Sequence, residues 1–386
     1  MRAKLTVIIT SIACFVTVTS MLCYQYPTPN IDIETLRNLY SSGNKATWPK
    51  PLLDSSVVTK FIDIGNLDSM KYPFENPFSA AKKELGKILF FDPRLSQSGQ
   101  VACASCHDSQ LGWADGKQLS FGHNRQLGTR NAMSLFNVGY YKEFFWDGRA
   151  TSIEHQVQFP TADAVEMAQP LAGLDKKIKK IKGYTPYFAK AFGNNDITND
   201  KIFKAIATFE RSIVSPKSRF DFFITGKKDA LTDDELMGLH LYRTKANCIN
   251  CHNGGLFSDN KLHNDGQTLF ATQYEDLGQY NITHNRADVG KFKTPSLRET
   301  ASTGPWMHHG NFPSLKDVVE FYNLGNPTPL PKKYKGERDS ILPVKSPILR
   351  KLNLSAKEME QIVAFLQSIT APVQSVRIKP VTAFPQ

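Results

Sequence analysis

The stretch VACASCHDSQ, residues 101–110, sets Cys103, Cys106 and His107 in a Cys-x-x-Cys-His array. About 140 residues on, NCINCHNGG, residues 247–255, repeats it with Cys248, Cys251 and His252. On a helical turn, positions i and i+3 share a face and the next residue is displaced round the axis. Two thiols so placed can each close a thioether on a porphyrin vinyl group, and the imidazole that follows is then held as an axial ligand. One such array arises by chance on the order of a few times per thousand chains of this kind; two make chance negligible. A zinc site would want its ligand pairs about 12–20 residues apart, and a thioredoxin-like pair would want a βαβ setting. Neither condition is met, so the arrays read as attachment sites for two covalently bound c-type haems.

The chain has 386 residues, a net charge of +11 and six cysteines. That length accommodates two domains and a leader. The basic residues are scattered rather than gathered in a run, which argues against a nucleic-acid partner and leaves room for an acidic protein partner. Residues 1–24 carry Arg2 and Lys4 ahead of an apolar stretch diluted by Thr and Ser. This pattern reads as a secretory signal, with an uncleaved anchor or a lipid on Cys14 or Cys23 as the alternative. Export to the periplasm is the expectation. The other four cysteines all belong to the two arrays, which leaves none for a disulfide framework.

The hydrophobic periodicity is helical nearly throughout. A Pro-containing lead-in occupies residues 25–75, with a short helix expected over residues 31–40. A helix over SAAKKELGKILFF is stopped by Pro93 and leads into the first array. A second helix, opened by a Thr232–Glu235 capping box, leads into the second array. This coarse internal repeat predicts an all-α fold with two cytochrome c-like haem domains in tandem, over residues 76–225 and 226–372, and a tail over 373–386. Between the arrays, NDKIFKAIATFERSIVSP reads as helix, ending near Pro216. A last helix begins at the Ser355–Glu358 capping box, and its stripe Met359, Ile362, Val363 and Leu366 places Met359 in the core rather than on a metal.

The stretches ELGKILFFDPRLS, CASCH, FGHNRQLGTRN, FFWDGRA, AVEM, NCINCHNGG and KTPSLRETASTGPWMHHGNFPSLKDVVEFYNLG, in this order, resemble the bacterial di-haem cytochrome c peroxidase and MauG-like family over residues 79–370. The resemblance implies a peroxidatic first haem and a second haem that collects electrons. It implies a distal His at His123, a distal proton-shuttling carboxyl at Glu166, and an aromatic relay between the haems at Trp146. It implies a calcium ion bound in part by backbone carbonyls at Asn131, Thr303 and Pro305, and it is compatible with a homodimer. Where the peroxidases carry an axial Met on the second haem, this chain aligns Tyr322, as MauG-like members do, and Met307 lies fifteen residues too early. A phenol ligand favours the higher iron oxidation states and lowers the reduction potential. The leading expectation is reduction of hydrogen peroxide with electrons from a small cytochrome c or copper protein. The alternatives are a MauG-like oxidase acting on a partner protein and a non-enzymatic di-haem electron carrier.

Overall fold

Most of the longer helices open where a short polar side chain takes up a free N–H of the first turn. In chain order, those of eight or more residues among the described residues are α1 (Ile33–Tyr40), α2 (Ala80–Phe91), α3 (Thr185–Phe192), α4 (Asn199–Arg211), α5 (Asp233–Arg243), α6 (Leu315–Asn323) and α7 (Ala356–Ser368). Asp32, Ser79, Thr198, Thr232, Ser314 and Ser355 cap all but α3, which instead begins with Pro186 in its first turn. Both expected capping boxes form, Thr232 with Glu235 and Ser355 with Glu358. The computed structural model describes residues 31–328, 330–372, 378, 380, 381 and 383–386. The leader reading, with Cys14 and Cys23, lies outside the described residues, and no described helix is long and apolar enough to cross a membrane.

Sheet is confined, among the described residues, to one antiparallel pair, β1 (Leu262–Asn264) and β2 (Lys291–Lys293), in the register Leu262↔Lys293. Regular structure is therefore mostly helix, and long irregular segments carrying single 3-10 turns run between the longer helices, as over residues 92–152 and 244–279.

Two helix pairs carry the packing, and they are built alike. α2 crosses α4 at Gly86, where an added Cβ would lie 1.9 Å from the Ala205 carbonyl oxygen. α5 crosses α7 at Gly238, where an added Cβ would lie 1.9 Å from the Gln361 carbonyl oxygen. At both crossings the absent side chain lets two backbones touch. Each pair also buries aromatic rings edge to face: Phe90 with Phe209 at 5.3 Å between centroids, and Tyr242 with Phe365 at 5.1 Å. Such contacts add to the area buried. A cysteine array follows α2 in one case and α5 in the other.

The lead-in is tied to the second array's surroundings. Arg37 bonds the Lys228 and Leu231 carbonyls and Asp233. Arg243 reaches back to Asp63 and to the Pro49 carbonyl, and the Ile62 carbonyl accepts from Gly254 N–H. In the tail, Ile378 and Phe384 lie against the first core.

Candidate functional site

The two arrays fold into the same turn. Cys103–Ser105 and Cys248–Asn250 are single turns of 3-10 helix, in which residues i and i+3 stack on one side. The N–H of His107 bonds the Cys103 carbonyl at 3.1 Å, and that of His252 bonds the Cys248 carbonyl at 2.9 Å. All four thiols are free. Burial pushes the Cys106 thiol up, and the Cys248 thiol up to about 12, so neither is poised as a thiolate nucleophile.

The imidazoles are oriented alike. His107 Nδ1 lies 3.1 Å from the Trp113 carbonyl oxygen, and His252 Nδ1 lies 3.1 Å from the Phe257 carbonyl oxygen. A carbonyl only accepts, so Nδ1 carries the proton and Nε2 is left with a bare lone pair. That is the arrangement of a metal-ligating histidine held by its outer hydrogen bond. Burial lowers the pKa of both rings, which keeps them neutral and able to ligate.

Each array opens on a cavity. The first, of about 1050 Å³, is lined by Cys103, Cys106, His107, Glu166, Met167 and Glu210, among others. The second, of about 210 Å³, is lined by Cys248, Cys251, His252, His263, Asp265 and Tyr322, among others. Paired thiols beside an imidazole whose Nε2 is free to ligate, on a largely apolar wall, supply in each cavity the donor set of a thioether-bound haem.

Of the distal residues implied by the resemblance, Glu166 lines the first cavity. Burial raises its pKa, and Asp163 adds to the effect. His123 sits on a short turn whose next two residues, Asn124 and Arg125, have φ of 53° and 59°. Its backbone N–H donates to both the Val165 and Glu166 carbonyls at 2.8 Å, so the two segments are brought together. Gly122 makes this possible, since a Cβ there would lie 2.1 Å from the Val165 carbonyl oxygen. The His123 imidazole is not part of the cavity lining, and its Nδ1 is buried without a hydrogen-bond partner.

Tyr322, from α6, lines the second cavity, where Met307 is also found. Burial raises the phenol well above its ordinary range, and Asp265 and the nearby cysteines raise it further. Met359 stands outside that lining, and its sulfur meets Asn323 Nδ2 at 3.5 Å.

Trp146 lines both cavities. Its indole N–H donates to the Asn131 carbonyl at 2.9 Å, and its carbonyl accepts from the Lys293 N–H at 2.7 Å. The following turn is clamped by Asp147, which pairs with Arg130 at 2.5 Å and Arg149 at 2.8 Å. Arg130 also holds Asp276, at 2.6 Å. The residues implied for calcium, Asn131, Thr303 and Pro305, all line the second cavity near Trp146. The Asn131 amide donates to the Lys117 and Gln118 carbonyls.

The same dividing wall contains residues the sequence did not single out: Tyr141, Lys293 and His308. His308 stacks on Phe292 with centroids 3.6 Å apart and meets Trp146 edge-on at 6.4 Å. Burial pulls His308 down to about 3, so it is a neutral ring at ordinary pH. Burial also pulls the Lys293 ammonium well below the usual lysine range, with Glu143 opposing. Tyr141 lies three residues before FFWDGRA, and Lys293 and His308 fall inside the quoted stretch KTPSLRETASTGPWMHHGNF, but they lie about 150 residues from Trp146 and nothing periodic set them beside it.

Two matching turns, two oriented imidazoles and a shared aromatic wall define a two-centre c-type haem protein. Residues 80–229 match the family model described as di-haem cytochrome c peroxidase. The chain is 35% identical to the cytochrome-c peroxidase IdrP1 of Pseudomonas sp. strain SCT, over 79% of this chain and 84% of that one. It is also 35% identical to the methylamine utilization protein MauG of Methylophilus methylotrophus, over 78% and 86% of the two chains. A solved MauG-like protein associated with microbial copper homeostasis superposes with a TM-score of 0.70 at 30% identity, covering 81% of this chain and 94% of that one. The chain belongs to the di-haem cytochrome c peroxidase family, and its family implies two c-type haems.

Proposed function

We propose that this protein is a periplasmic di-haem peroxidase that reduces hydrogen peroxide to two waters, with two electrons from a small cytochrome or copper protein and two protons. The observation that carries the reading is the single wall, with Trp146 in it, shared by two cavities that each hold a Cys-x-x-Cys-His turn. In this reading two cytochrome c-like domains follow in tandem. Cys103, Cys106 and His107 hold the peroxidatic haem, and Cys248, Cys251, His252 and Tyr322 hold the electron-collecting one. Haem iron supplies the cleavage of the oxygen–oxygen bond. Glu166 carries a proton from one peroxide oxygen to the other, a task suited to a carboxyl whose pKa is raised toward the working pH. His123 guards the distal side, in keeping with its backbone link to Glu166. Trp146 passes electrons between the cavities. Asn131, Thr303 and Pro305, all at the lining of the second cavity, would offer hard oxygen donors to a calcium ion, which would cross-link these segments.

A second reading, a MauG-like oxidase acting on side chains of a partner protein, is favoured by Tyr322 in the second cavity. Steady-state peroxide consumption with reduced small donors separates the two. Turnover with a generic donor supports the peroxidase. Peroxide reactivity that requires one protein partner, with donors ignored, supports the oxidase. Two haems inert to peroxide after reduction would leave an electron carrier and overturn both.

A further inference from the structure

Among the described residues, the Arg and Lys side chains lining the first cavity are Arg130, Arg149 and Lys293. Two of them are committed elsewhere. Arg130 engages Asp276 through Nε and Nη2 and Asp147 through Nη1. The Lys293 amine donates to the Glu143 carbonyl, and burial pulls its pKa well below the usual lysine range. Arg149 differs. Its Nη1 holds Asp147, at 3.0 and 2.8 Å from the two carboxylate oxygens, and among the described residues Nε and Nη2 have no acceptor. A guanidinium stays charged at any working pH, so Arg149 is a permanent cation with unused donors.

That cation is also fixed in place. Its guanidinium carbon lies 3.5 Å from the centroid of the Phe145 ring and 5.6 Å from that of Phe159. Asp147, 4% exposed, anchors it and is itself braced by Arg130. The charge is felt at Glu166, where it opposes the rise that burial and Asp163 cause. Arg149 and the distal carboxyl therefore act in the same part of the cavity. Donors held ready where negative charge develops need no reorganisation when it appears.

We propose that Arg149 is a catalytic residue of the first cavity, an anion site that takes up the charge of the hydroxide released as the oxygen–oxygen bond of hydrogen peroxide breaks. The departing hydroxyl keeps the bonding pair. It leaves as water on receiving the proton that Glu166 carries from the other oxygen. That other oxygen becomes the second water with two electrons from the donor protein and two protons from solvent. The proposal rests on the peroxidase reading, but the anion site can be probed without turnover.

The test compares wild type, Arg149→Met and Arg149→Lys, each carrying both haems. Fluoride and carbon monoxide are titrated against the first haem, oxidised and reduced respectively, in a His123→Gly background that keeps the distal side open. R149M is expected to weaken fluoride binding by about 10- to 100-fold and to leave the neutral ligand's affinity unchanged. R149K, which keeps the charge, should recover most of the loss. With His123 restored, R149M should slow the reaction with hydrogen peroxide by about 10²–10³-fold in stopped flow. Arg149→Gln serves in place of R149M if the latter does not retain both haems. Unchanged fluoride affinity, or a loss shared equally by carbon monoxide, overturns the anion site and leaves the peroxidase reading intact. A wild-type peroxide rate in R149M overturns its part in bond cleavage. A wild type inert to peroxide overturns the peroxidase reading, and a fluoride loss confined to R149M would then still uphold the anion site.

Discussion

At the scale of single residues, the two predicted imidazoles owe their orientation to carbonyls a few positions later, from Trp113 and Phe257. The arrays were legible because their spacing is local. Glu166 is different: its side chain matters because a distant segment brings it to the first cavity. Glu166→Gln should retain both haems and lose peroxide turnover by about 10²–10⁴-fold, read by steady-state rates beside a haem stain. An unchanged rate would remove Glu166 from the proton path. Tyr322→Met should raise the reduction potential of the second haem and alter its absorption spectrum, measured by redox titration. An unaltered spectrum would place Tyr322 outside the coordination sphere.

At the scale of elements, the two glycine crossings are the strongest evidence that each array follows a similarly built scaffold. Capping boxes and the helical stripe were readable from sequence, since both depend on residues three or four apart. The partner at each crossing was not, because Gly86 meets Ala205 and Gly238 meets Gln361 only after folding. Gly86→Ala and Gly238→Ala should each destabilise the protein by about 1–3 kcal/mol, seen as a lower urea midpoint. Helix propensity alone would move the midpoint the other way, because Ala favours helix over Gly. A raised midpoint in either variant would therefore show that the helices can part at no cost.

At the scale of the whole molecule, the buried Arg298 fastens separate regions. It makes two 2.9 Å bonds to Asp221 and also bonds the carbonyls of Gly65, in the lead-in, and Gly255, beside the second array. Burial opposes ionisation of Asp221, yet the Arg298 bonds win and hold its carboxyl below the ordinary value of 3.8. A carboxyl whose folded pKa is depressed adds stability above its unfolded value and loses it as pH falls through the folded one. Arg298→Ala should thus cost about 3–5 kcal/mol at neutral pH. In wild type this pair's contribution should fade only below about pH 4, followed by chemical denaturation across pH. A cost that is already absent at neutral pH would show that the pair does not fasten these regions. By itself the sequence determined the helical class, the two haem attachment turns, their histidines and the helix starts, because each depends on side chains a few positions apart and so on local geometry. Only the tertiary structure decided that Trp146 divides two cavities, that Glu166 is tied to the His123 turn and that the lead-in binds the second array's surroundings. Each of those depends on segments tens to hundreds of residues apart, which the packing of helices through two glycines and one short sheet brings into contact.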